Sequence, residues 1–413
     1  MLRIATRSRK DAKAIRHAVE AYYKGWDFEV ISLGGVRSKE EILERLRELE
    51  DVVVLANRED AELFEGYEFV HVVRKRKIRN MRLEEIREEI ELARAKMRLA
   101  VSYDRTYILG SLRNPIVNAK PHHDVFLLKS PGTVLGEGHY VALRDLGGLH
   151  YIFSKGRVAG RIHIKDYGCD VRYEGEEPES VDVAELAKAN EDFLLKAERK
   201  AVSWLRGFET KEVVVPWSGG KDSTTALFLA MKAFGDVKAV FIDVDVDFEE
   251  NREFVKRVAE EFGIDLYTYK LKLSDKISEL GLPSHERRWC TGLKLKLFEE
   301  IYEEFGECLV VVGDRDVESE SRSSRPPVYR AGKVTVVAPL RSWNTMHLQL
   351  YVKLRELPLN PLYELGFYRI GCYICPSLRS WELSLMLNLP NFKRLKGNEL
   401  FKLFLRSKLA EDL

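Results

Sequence analysis

The chain has 413 residues, of which 45% are hydrophobic and 32% charged, and its formal net charge is +1. This composition indicates a soluble globular protein of two to three domains, and it excludes a strong overall attraction to nucleic acid, so any such binding needs a local basic patch. Because no apolar run reaches the ~18 residues that span a bilayer, and the first ten residues lack the apolar segment of a signal peptide, we expect a cytoplasmic protein without membrane contact.

Strands and helices alternate over the first hundred residues. Apolar periodicity predicts strands at 2–5, 28–33, 52–55 and 70–73, and helices at 10–23, 39–49 and 83–99. We therefore predict a small α/β domain at residues 1–104, in which the sequence indicates no chemistry. The basic run from Arg74 to Lys77, with Arg79 and Arg82, could contact phosphates, although a solvated charged face is the favoured interpretation.

The next segment is rich in short strands and glycine turns. Strands are predicted at 124–128, 140–143, 150–153, 156–160 and 161–164, at a spacing typical of a small β-barrel. We predict a β-rich domain at 105–175. Residues 133–164 resemble PUA-type barrels, which often accompany RNA-modifying enzymes, and an interdomain β-domain without RNA contact is the alternative. Cys169 follows this segment and, alone, is more often a small buried residue than a ligand.

Residues 174–182 are acidic and contain proline, which indicates a linker before a third domain at 183–413. A helix at 183–205 leads into it. Strands at 213–215, 237–242, 265–270 and 308–312 then alternate with helices at 249–262 and 291–305, which is typical of a parallel sheet. The tail, 387–413, reads as helical and basic.

A glycine loop follows the first strand of this domain, in the sequence Ser218-Gly219-Gly220-Lys221-Asp222-Ser223. A helical apolar pattern follows it. Glycines allow backbone N–H groups to approach an anion, and the helix N-terminus adds partial positive charge, so the loop predicts phosphate binding. It cannot be aligned with GxxxxGK[ST] and is therefore not a Walker A loop. It resembles the SGGxDS signature of PP-loop ATP pyrophosphatases, which implies a doubly wound α/β domain that binds ATP or an adenylyl nucleotide.

Three later motifs narrow the resemblance. They are RRWCTGLK at 287–294, GxRxxESxxR within 313–322, and PLRSWN at 339–344 followed by LPLNPLY at 357–363 and RIGCYICP at 369–376. In this order, after SGGKDS, they resemble the phosphoadenosine-phosphosulfate (PAPS) reductase family over residues 210–390. The resemblance implies an adenine-nucleotide enzyme of sulfur chemistry.

Ligands of such sheets bind at the carboxyl ends of the strands. Asp243 ends the second strand and could hold a ribose hydroxyl or Mg²⁺. Arginine suits bidentate phosphate or sulfate binding, although paired surface salt bridges are the alternative. The residues assigned to ATP, or to PAPS or APS as substrate, are Ser218, Gly219, Gly220, Lys221, Asp222, Ser223, Asp243, Arg287, Arg288, Gly313, Arg315, Glu318, Ser319 and Arg322.

Five cysteines are too few and too odd a number for a disulfide framework, so reduced thiols or metal ligands are expected. Cys372 and Cys375 have a chelating spacing, and Cys290 lies where the family places further cysteines. Iron–sulfur members carry a Cys-Cys pair where this chain has Cys290-Thr291. The resemblance therefore implies a 4Fe-4S cluster with three protein thiolates and an open iron, or with Cys169 as fourth ligand. Zinc with a ligand such as His285, a metal-free redox CxxC and structural thiols stay open.

One departure bears on the reaction. Thioredoxin-dependent PAPS reductases carry a nucleophilic cysteine in a C-terminal ECGLH motif, and no cysteine follows Cys375 here. We therefore favour an ATP-dependent sulfurtransferase that adenylates and thiolates a nucleic acid such as tRNA, with Lys221, Asp222, Cys290, Cys372 and Cys375 as catalytic residues. PAPS or APS reduction, DNA phosphorothioation and a nucleotide-sensing module are the alternatives. The acceptor, the sulfur donor and the oligomeric state stay open.

Overall fold

The computed structural model describes residues 2–49, 52–67, 69–99, 120–132, 135–155, 157–166, 168–210 and 212–410. The boundary predicted at residues 104 and 105 lies outside these ranges. The described residues form a four-stranded, a five-stranded and a six-stranded sheet. The predicted division into domains at 1–104, 105–175 and 183–413 stays a prediction.

The first sheet is parallel, with strand order β2-β1-β3-β4. Its elements confirm the predicted alternation: β1 (Leu2–Thr6), α1 (Arg9–Tyr22), β2 (Phe28–Ser32), α2 (Lys39–Arg47), β3 (Val52–Ala56), β4 (Val70–Val72) and α3 (Leu83–Leu99). Helices α1 and α3 pack with one face of the sheet and α2 with the other. Strand β3 is buried along its whole length, because it lies between helices on both faces.

The second sheet is an antiparallel meander of five strands in chain order. Its strands are β5 (Asp124–Pro131), β6 (Glu137–Arg144), β7 (Leu149–Ser154), β8 (Arg157–Ile164) and β9 (Cys169–Tyr173). Among the described residues, β5 and β9 are edge strands, and the PUA-like barrel stays a prediction.

The strands predicted at 156–160 and 161–164 are one strand, β8, although Gly156 itself lies outside the described residues. Gly160 stands within this strand rather than in a turn. A Cβ there would lie 2.9 Å from the carbonyl oxygen of Arg172, so the glycine allows close approach of β9.

The third sheet has the order β12-β11-β10-β13-β15-β14 and is parallel except for β14, which confirms the predicted parallel sheet. Its strands are β10 (Val213–Pro216), β11 (Lys238–Val244), β12 (Asp265–Leu271), β13 (Leu309–Val311), β14 (Val328–Ala331) and β15 (Val334–Val337). The chain leaves β10 towards β11 on one side and later places β13 on the other. This reversal is the switch point at which doubly wound sheets bind ligands.

Helices surround the third sheet. They are α4 (Val183–Ala189), α5 (Glu191–Arg206), α6 (Lys221–Phe234), α7 (Glu249–Phe262), α8 (Ser274–Leu280), α9 (Trp289–Phe305), α10 (Glu320–Ser323), α11 (Thr345–Leu354), α12 (Pro361–Glu364), α13 (Ser380–Asn388) and α14 (Glu399–Ala410). The single helix predicted at 183–205 is two helices. Asn190 separates them, and its side-chain amide donates to the Leu186 carbonyl at 2.8 Å, which replaces a backbone bond at the break.

The second and third sheets share one buried core. Val125, Leu127 and Val141 of the second sheet belong to the same apolar cluster as Met346 and Leu350 of α11. Polar contacts reinforce this packing, since the Asp124 carboxylate accepts hydrogen bonds from the Thr345 backbone N–H at 2.8 Å and from its hydroxyl at 2.6 Å. The β-rich segment is therefore fixed against the parallel sheet.

The first sheet is attached through the last turns of α3. Arg94 and Arg98 both pair with Asp316, whose side chain is 4% exposed, and Arg98 does so at 3.2 Å. Arg341 pairs with the same carboxylate at 2.8 Å. Asp316 lies next to Arg315, so α3 and the first sheet are anchored beside the predicted nucleotide site. Within the described part of the chain, no helix has the length and apolar character needed to cross a membrane.

Candidate active site

The glycine loop lies between β10 and α6, at the switch point of the third sheet. Gly219 has φ +77°, a left-handed conformation that favours glycine. A Cβ at this position would lie 2.2 Å from Asn251 Oδ1. The loop therefore needs glycine at 219 both for its backbone conformation and for the approach of α7.

Two hydroxyls close the loop. Ser218 Oγ lies 3.1 Å from Ser223 Oγ, and Ser223 Oγ accepts from the Ser218 backbone N–H at 3.2 Å. Ser223 is also 3.1 Å from the Gly220 carbonyl oxygen. Helix α6 begins at Lys221, so the loop presents its main chain and its hydroxyls at the positive end of a helix, an arrangement that favours phosphate.

Lys221, Asp222 and Arg315 form a chain of ion pairs. Asp222 Oδ2 lies 2.9 Å from Lys221 Nζ, and its Oδ1 lies 2.5 Å from Arg315 Nε. Burial alone would raise the pKa of Asp222, but the Arg315 and Lys221 cations hold it below its usual value. Burial likewise opposes the charge of Lys221, and Asp222 raises the Lys221 pKa. Both oxygens of the carboxylate are thus occupied by protein cations.

The GxRxxESxxR motif folds back on itself. Glu318 accepts from the Arg315 backbone N–H at 3.0 Å and pairs with Arg322, while Ser319 caps α10 through the Arg322 N–H at 3.1 Å. Gly313 allows this loop to approach α6, since a Cβ there would lie 2.7 Å from the Asp222 carbonyl carbon. The structure therefore pairs Arg322 with Glu318 of the same motif, and it pairs the buried Arg315 with Asp222 of the glycine loop.

Four polar side chains around the loop were not assigned a role from the sequence. The Tyr363 hydroxyl accepts from the Lys221 N–H at 3.1 Å, and Asn360 donates to the Gly219 carbonyl oxygen at 3.3 Å and to Asn251 Oδ1 at 2.8 Å. Asn251 donates to the Ser218 carbonyl oxygen at 3.2 Å and to Asp247 Oδ2 at 2.7 Å. The sequence signal was Asn360-Pro361, an N-cap followed by proline at the first helical position.

The carboxylates at the end of β11 and just after it already accept hydrogen bonds from protein donors. Asp243 lies 2.6 Å from Arg252 Nε, and Asp245 accepts from the Leu273 N–H at 2.8 Å and from Ser274. Asp247 is half-buried, and its removal from water raises its pKa. A ribose or Mg²⁺ ligand at Asp243 would thus have to displace or share the Arg252 contact.

The three cysteines Cys290, Cys372 and Cys375, here called the cysteine cluster, surround Lys294. Lys294 Nζ lies 3.9 Å from Cys372 Sγ. Burial alone would lower the Lys294 pKa, but the Cys372 thiol and the Asp247 carboxylate raise it, with smaller contributions from the other two thiols. Burial raises the pKa of Cys372 to about 12, and the ammonium opposes that rise. Lys294 ends the RRWCTGLK motif at 287–294, but no role was predicted for it from the sequence.

The cysteine cluster fits some metals better than others. A single zinc ion holds thiolate sulfurs at about 2.3 Å, hence about 3.8 Å apart in a tetrahedron. Within the described residues, the three cysteine sulfurs do not all lie within 4.8 Å of one another. An iron–sulfur cluster spreads its ligands over several irons and accepts wider spacing, and three soft donors beside an ammonium suit its negative charge. The donor set therefore fits such a cluster better than zinc.

The two predicted additional ligands, Cys169 and His285, contact other groups in the structure. Cys169 pairs with Ile164 at the start of β9, and burial raises its pKa to about 11. His285 is exposed, and its Nδ1 lies 3.4 Å from a guanidinium nitrogen of Arg288. Arg288 also contacts the Ser377 hydroxyl behind the CxxC segment, and Arg287 donates to the Leu280 carbonyl at 3.4 Å. The structure thus links Arg288 to the segment that follows the cysteines and does not pair either arginine with the glycine loop.

A separate group with metal-ligand spacing consists of His122, His123 and Asp145. Its geometry is that of a hydrogen-bonded carboxylate. Asp145 lies 2.8 Å from His122 Nε2 and 3.0 Å from the Lys120 ammonium. His123 Nδ1 accepts the Lys120 backbone N–H at 3.3 Å, which places the ring proton on Nε2 towards Asp145. These donors satisfy the carboxylate without a metal.

The glycine loop and the cysteine cluster lie at the same carboxyl edge of the third sheet. Asn251 connects them, since it bonds both the Ser218 carbonyl oxygen and Asp247, the carboxylate that acts on Lys294. The Tyr373 N–H, inside the CxxC segment, donates to the Val246 carbonyl at 3.2 Å, which fixes that segment against the loop after β11. An anionic nucleotide and a sulfur-bearing centre can therefore be held side by side.

Comparison with known proteins gives a family match for the segment that contains the third sheet. Residues 212–378 match the family model described as phosphoadenosine phosphosulfate reductase domain, which confirms the resemblance found in the motifs. An uncharacterized protein of Methanocaldococcus jannaschii is 33% identical over 279 residues, or 63% of this chain, and the chain spans only 56% of that protein's length.

Two named reductases are also similar to the chain. A phosphoadenosine 5'-phosphosulfate reductase of Xanthomonas oryzae is 24% identical over 198 residues, which cover 46% of this chain and 80% of that protein. The crystal structure of a PAPS reductase from Candida auris, a phosphate complex, aligns with a TM-score of 0.35 and 20% identity over 48% of this chain and 98% of that chain.

Proposed function

We propose that this chain, whose residues 212–378 form a domain of the phosphoadenosine phosphosulfate reductase family, is an ATP-dependent sulfurtransferase. It adenylates a nucleic acid acceptor such as a tRNA base and replaces the activated oxygen by sulfur. The observation that carries this proposal is the placement of the glycine loop and the cysteine cluster at one sheet edge, joined by Asn251 and Asp247.

ATP binds through its phosphates to the loop from Ser218 to Ser223. The main chain at the N-terminus of α6, the two serine hydroxyls and the Lys221 ammonium supply donors and positive charge. Arg315 keeps Asp222 ionised and in place, so Lys221 stays charged in a buried setting. The intact SGGKDS is of the type seen in PP-loop proteins that cleave ATP, which favours ATP over a preformed adenylyl sulfate.

The reaction needs two displacements and no net oxidation. A carbonyl oxygen of the acceptor attacks the α-phosphorus, and pyrophosphate leaves with the electrons of the broken P–O bond. Hydrosulfide then attacks the carbon that bears the adenylated oxygen, and AMP leaves with the electrons of the C–O bond while one proton is released. The protein's contribution is positioning and charge neutralisation at the phosphates.

Cys290, Cys372 and Cys375 are the residues that would hold an iron–sulfur cluster, which when bound supplies a soft metal able to bind sulfide. Lys294 balances negative charge there, and the Asp247 carboxylate favours the charged form of Lys294. All three thiols are partly exposed and pack against the apolar core of the third sheet, so hydrosulfide can reach them from solvent.

Reduction of PAPS or APS is the second candidate, and it is favoured by the similarity to the named reductase of Xanthomonas oryzae. In that reaction the S–O bond of the sulfonucleotide breaks, sulfite and the adenosine phosphate leave, and two thiols are oxidised to a disulfide. The cysteine cluster has enough thiols for this two-electron step.

The two candidate reactions differ in the products that they form from the nucleotide. The sulfurtransferase converts ATP into AMP and pyrophosphate only when acceptor RNA and sulfide are both present, and the RNA gains sulfur. Release of sulfite from PAPS or APS at enzymatic rates without ATP contradicts the sulfurtransferase and establishes the reductase. The Lys221→Ala variant is the control for both assays, because it removes the cation of the loop.

A further inference from the structure

A cavity of about 200 Å³ opens at the carboxyl end of the first sheet, far along the chain from the proposed active site. It is lined by Asn57, Arg58 and Glu59 after β3 and by residues 73–77 after β4. The stretch from Arg74 to Lys77, here called the basic loop, contributes four consecutive cations to it. The carboxyl ends of parallel strands are where such sheets bind ligands. Because the cations of the lining outnumber its one carboxylate, Glu59, the cavity favours an anion.

Buried polar side chains hold the basic loop in place. The Ile78 N–H donates to Asn57 Oδ1 at 2.9 Å, and the Arg79 N–H donates to Asp11 Oδ1 at 3.1 Å. Asn57 also donates to Asp11 Oδ2 at 3.0 Å, and both side chains are buried, at 3% and 0% exposed. Buried polar groups are costly unless paired, and here their pairing fixes the end of a solvent-exposed, positively charged loop.

The cations of the basic loop make contacts that phosphate can replace. Lys75, Arg76 and Lys77 pair with glutamates at 3.3, 3.1 and 2.8 Å, and their side chains are 55, 51 and 41% exposed. Exposed ion pairs of this kind stabilise a fold by only about 0–1 kcal/mol. A polyanion can therefore take over these cations at little cost to the fold.

Helix α3 relates the basic loop to the proposed active site. Arg76 pairs with Glu85 in the first turn of α3, and Arg98 in its last turn pairs with Asp316, the neighbour of Arg315. At 1.5 Å per residue, Glu85 and Arg98 are about 20 Å apart along the helix. A single mononucleotide is too small to contact both places, whereas a polymer of phosphates reaches both.

We propose that the basic loop is a binding site for the phosphate backbone of RNA, which holds the acceptor of the sulfurtransferase while its target base lies at the third sheet. The choice of RNA rests on the proposed function; the polyanion chemistry rests on the cavity, the cations and their distance from Arg315. Few phosphate contacts are involved, in keeping with the net charge of +1.

The test compares two triple variants of the full chain for binding to an unmodified tRNA transcript. Lys75→Ala, Arg76→Ala and Lys77→Ala together remove the basic loop's exposed cations. Lys188→Ala, Arg199→Ala and Arg257→Ala remove the same charge from exposed helix positions of the third domain. We expect the first variant to lose at least tenfold in affinity and its log–log salt slope to fall by about 2 to 3. The second variant is expected to bind as the wild type does.

The outcomes separate this inference from the proposed function. If both triple variants bind the transcript as the wild type does, the basic loop is not an RNA site and the sulfurtransferase proposal is unaffected. If the wild type turns over no ATP with tRNA and sulfide, yet only the first variant loses binding, the proposed function fails and the site stands. If a DNA duplex of the same charge binds as tightly as the transcript, and if the first variant loses as much affinity for it, the assignment to RNA is wrong.

Discussion

Asn251 Nδ2 donates a hydrogen bond to Asp247 Oδ2 at 2.7 Å, and the same amide nitrogen lies 3.2 Å from the Ser218 carbonyl oxygen. Through this one side chain, the main chain of the glycine loop is joined to Asp247, the carboxylate that raises the Lys294 pKa. Its amide oxygen accepts from Asn360 at 2.8 Å, so all of its polar atoms are engaged. A displacement of Asn251 is therefore expected to affect the nucleotide loop and the cysteine cluster together.

Gly219→Ala tests that expectation. The new Cβ would lie 2.2 Å from Asn251 Oδ1, and φ at this position is +77°. We expect a loss of roughly 1–3 kcal/mol of unfolding free energy from backbone strain and the displaced contact. Binding of ATP, measured by calorimetry, should be lost as well.

Gly220→Ala is the matched control for stability. Its φ is −78°, and the nearest atoms to an added Cβ are 3.5 and 3.6 Å away, which is ordinary contact. We expect its melting temperature to be close to that of the wild type. Equal melting temperatures for the two alanine variants would show that the approach of Asn251 does not constrain the loop.

Lys221→Ala and Asp222→Ala are expected to differ, although the sequence predicts lost nucleotide binding with an intact fold for both. Asp222 is the shared partner of Lys221 and of Arg315, whose side chain is 3% exposed. Removing the carboxylate leaves Lys221 without its carboxylate partner and Arg315 with only Asp124, at 3.6 Å, and should cost about 3–5 kcal/mol of unfolding free energy. Removing Lys221 leaves the Asp222–Arg315 pair intact.

Thermal unfolding and titration with ATP and with PAPS distinguish these two effects. We expect Lys221→Ala to lose nucleotide affinity with a small change in melting temperature, and Asp222→Ala to lose both. A melting temperature of Asp222→Ala within one degree or so of that of Lys221→Ala would contradict the importance of the Arg315 pair.

The sequence predicted the local features of the site and not its long-range partners. A β-branched run, a glycine loop and a helical pattern predict β10, the loop and α6, because each depends on neighbouring residues. The resemblance to a family placed Cys290 near Cys372 and Cys375. The partner of Arg315 is Asp222, 93 positions away, and no periodicity encodes such a pairing. The sequence instead indicated a phosphate or sulfate for that arginine.

For the fold, too, local elements could be predicted from the sequence and long-range contacts could not. The alternation of β1 to α3 could be read from periodicity, but the pairing of Arg94 and Arg98 with Asp316 could not, because charged residues late in a helix are usually solvated. The break at Asn190 was missed, since the apolar spacing continues across it. The sequence predicted one strand that ends at Gly160 and another that begins at Arg161, because a glycine inside a strand and a glycine between strands look alike in sequence.

Because of Glu382, we expect the free energy of unfolding to depend on pH. This side chain is fully buried in the first turn of α13, and burial raises its pKa from 4.5 to about 7. A carboxyl group with a raised folded-state pKa gives stability that is fully present below pH 4.5 and is lost as pH rises through 7. The shift corresponds to about 3 kcal/mol of unfolding free energy.

Glu382→Gln removes this titration and keeps an acceptor for the Arg379 N–H, which the glutamate accepts at 3.2 Å. Denaturant unfolding at pH 5 and pH 8 measures the difference. We expect the wild type to lose about 2.5 kcal/mol more than the variant over this range, because a small part of the loss has already occurred at pH 5. Parallel pH profiles for the two proteins would show that Glu382 is not the responsible group.

The cysteine cluster is expected to act as a unit. Cys290→Ser, Cys372→Ser and Cys375→Ser should each lose bound iron and nearly all sulfurtransferase activity, because each removes a ligand of one shared centre. The double variants should then be no worse than the single ones. Iron analysis and absorbance near ~400 nm after anaerobic purification measure the centre directly.

Two further cysteines supply the controls. Cys308 is buried at 4% exposure just before β13. We expect Cys308→Ser to lower the free energy of unfolding modestly and to leave the iron content unchanged. Cys169 lies at the start of β9 and has Asp170 as its charged neighbour. Cys169→Ser should keep the iron, which leaves one position of the centre open for sulfide. Loss of iron in this variant would make Cys169 the fourth ligand and close that position. Full activity in all three variants of the cysteine cluster would remove sulfur chemistry from this site.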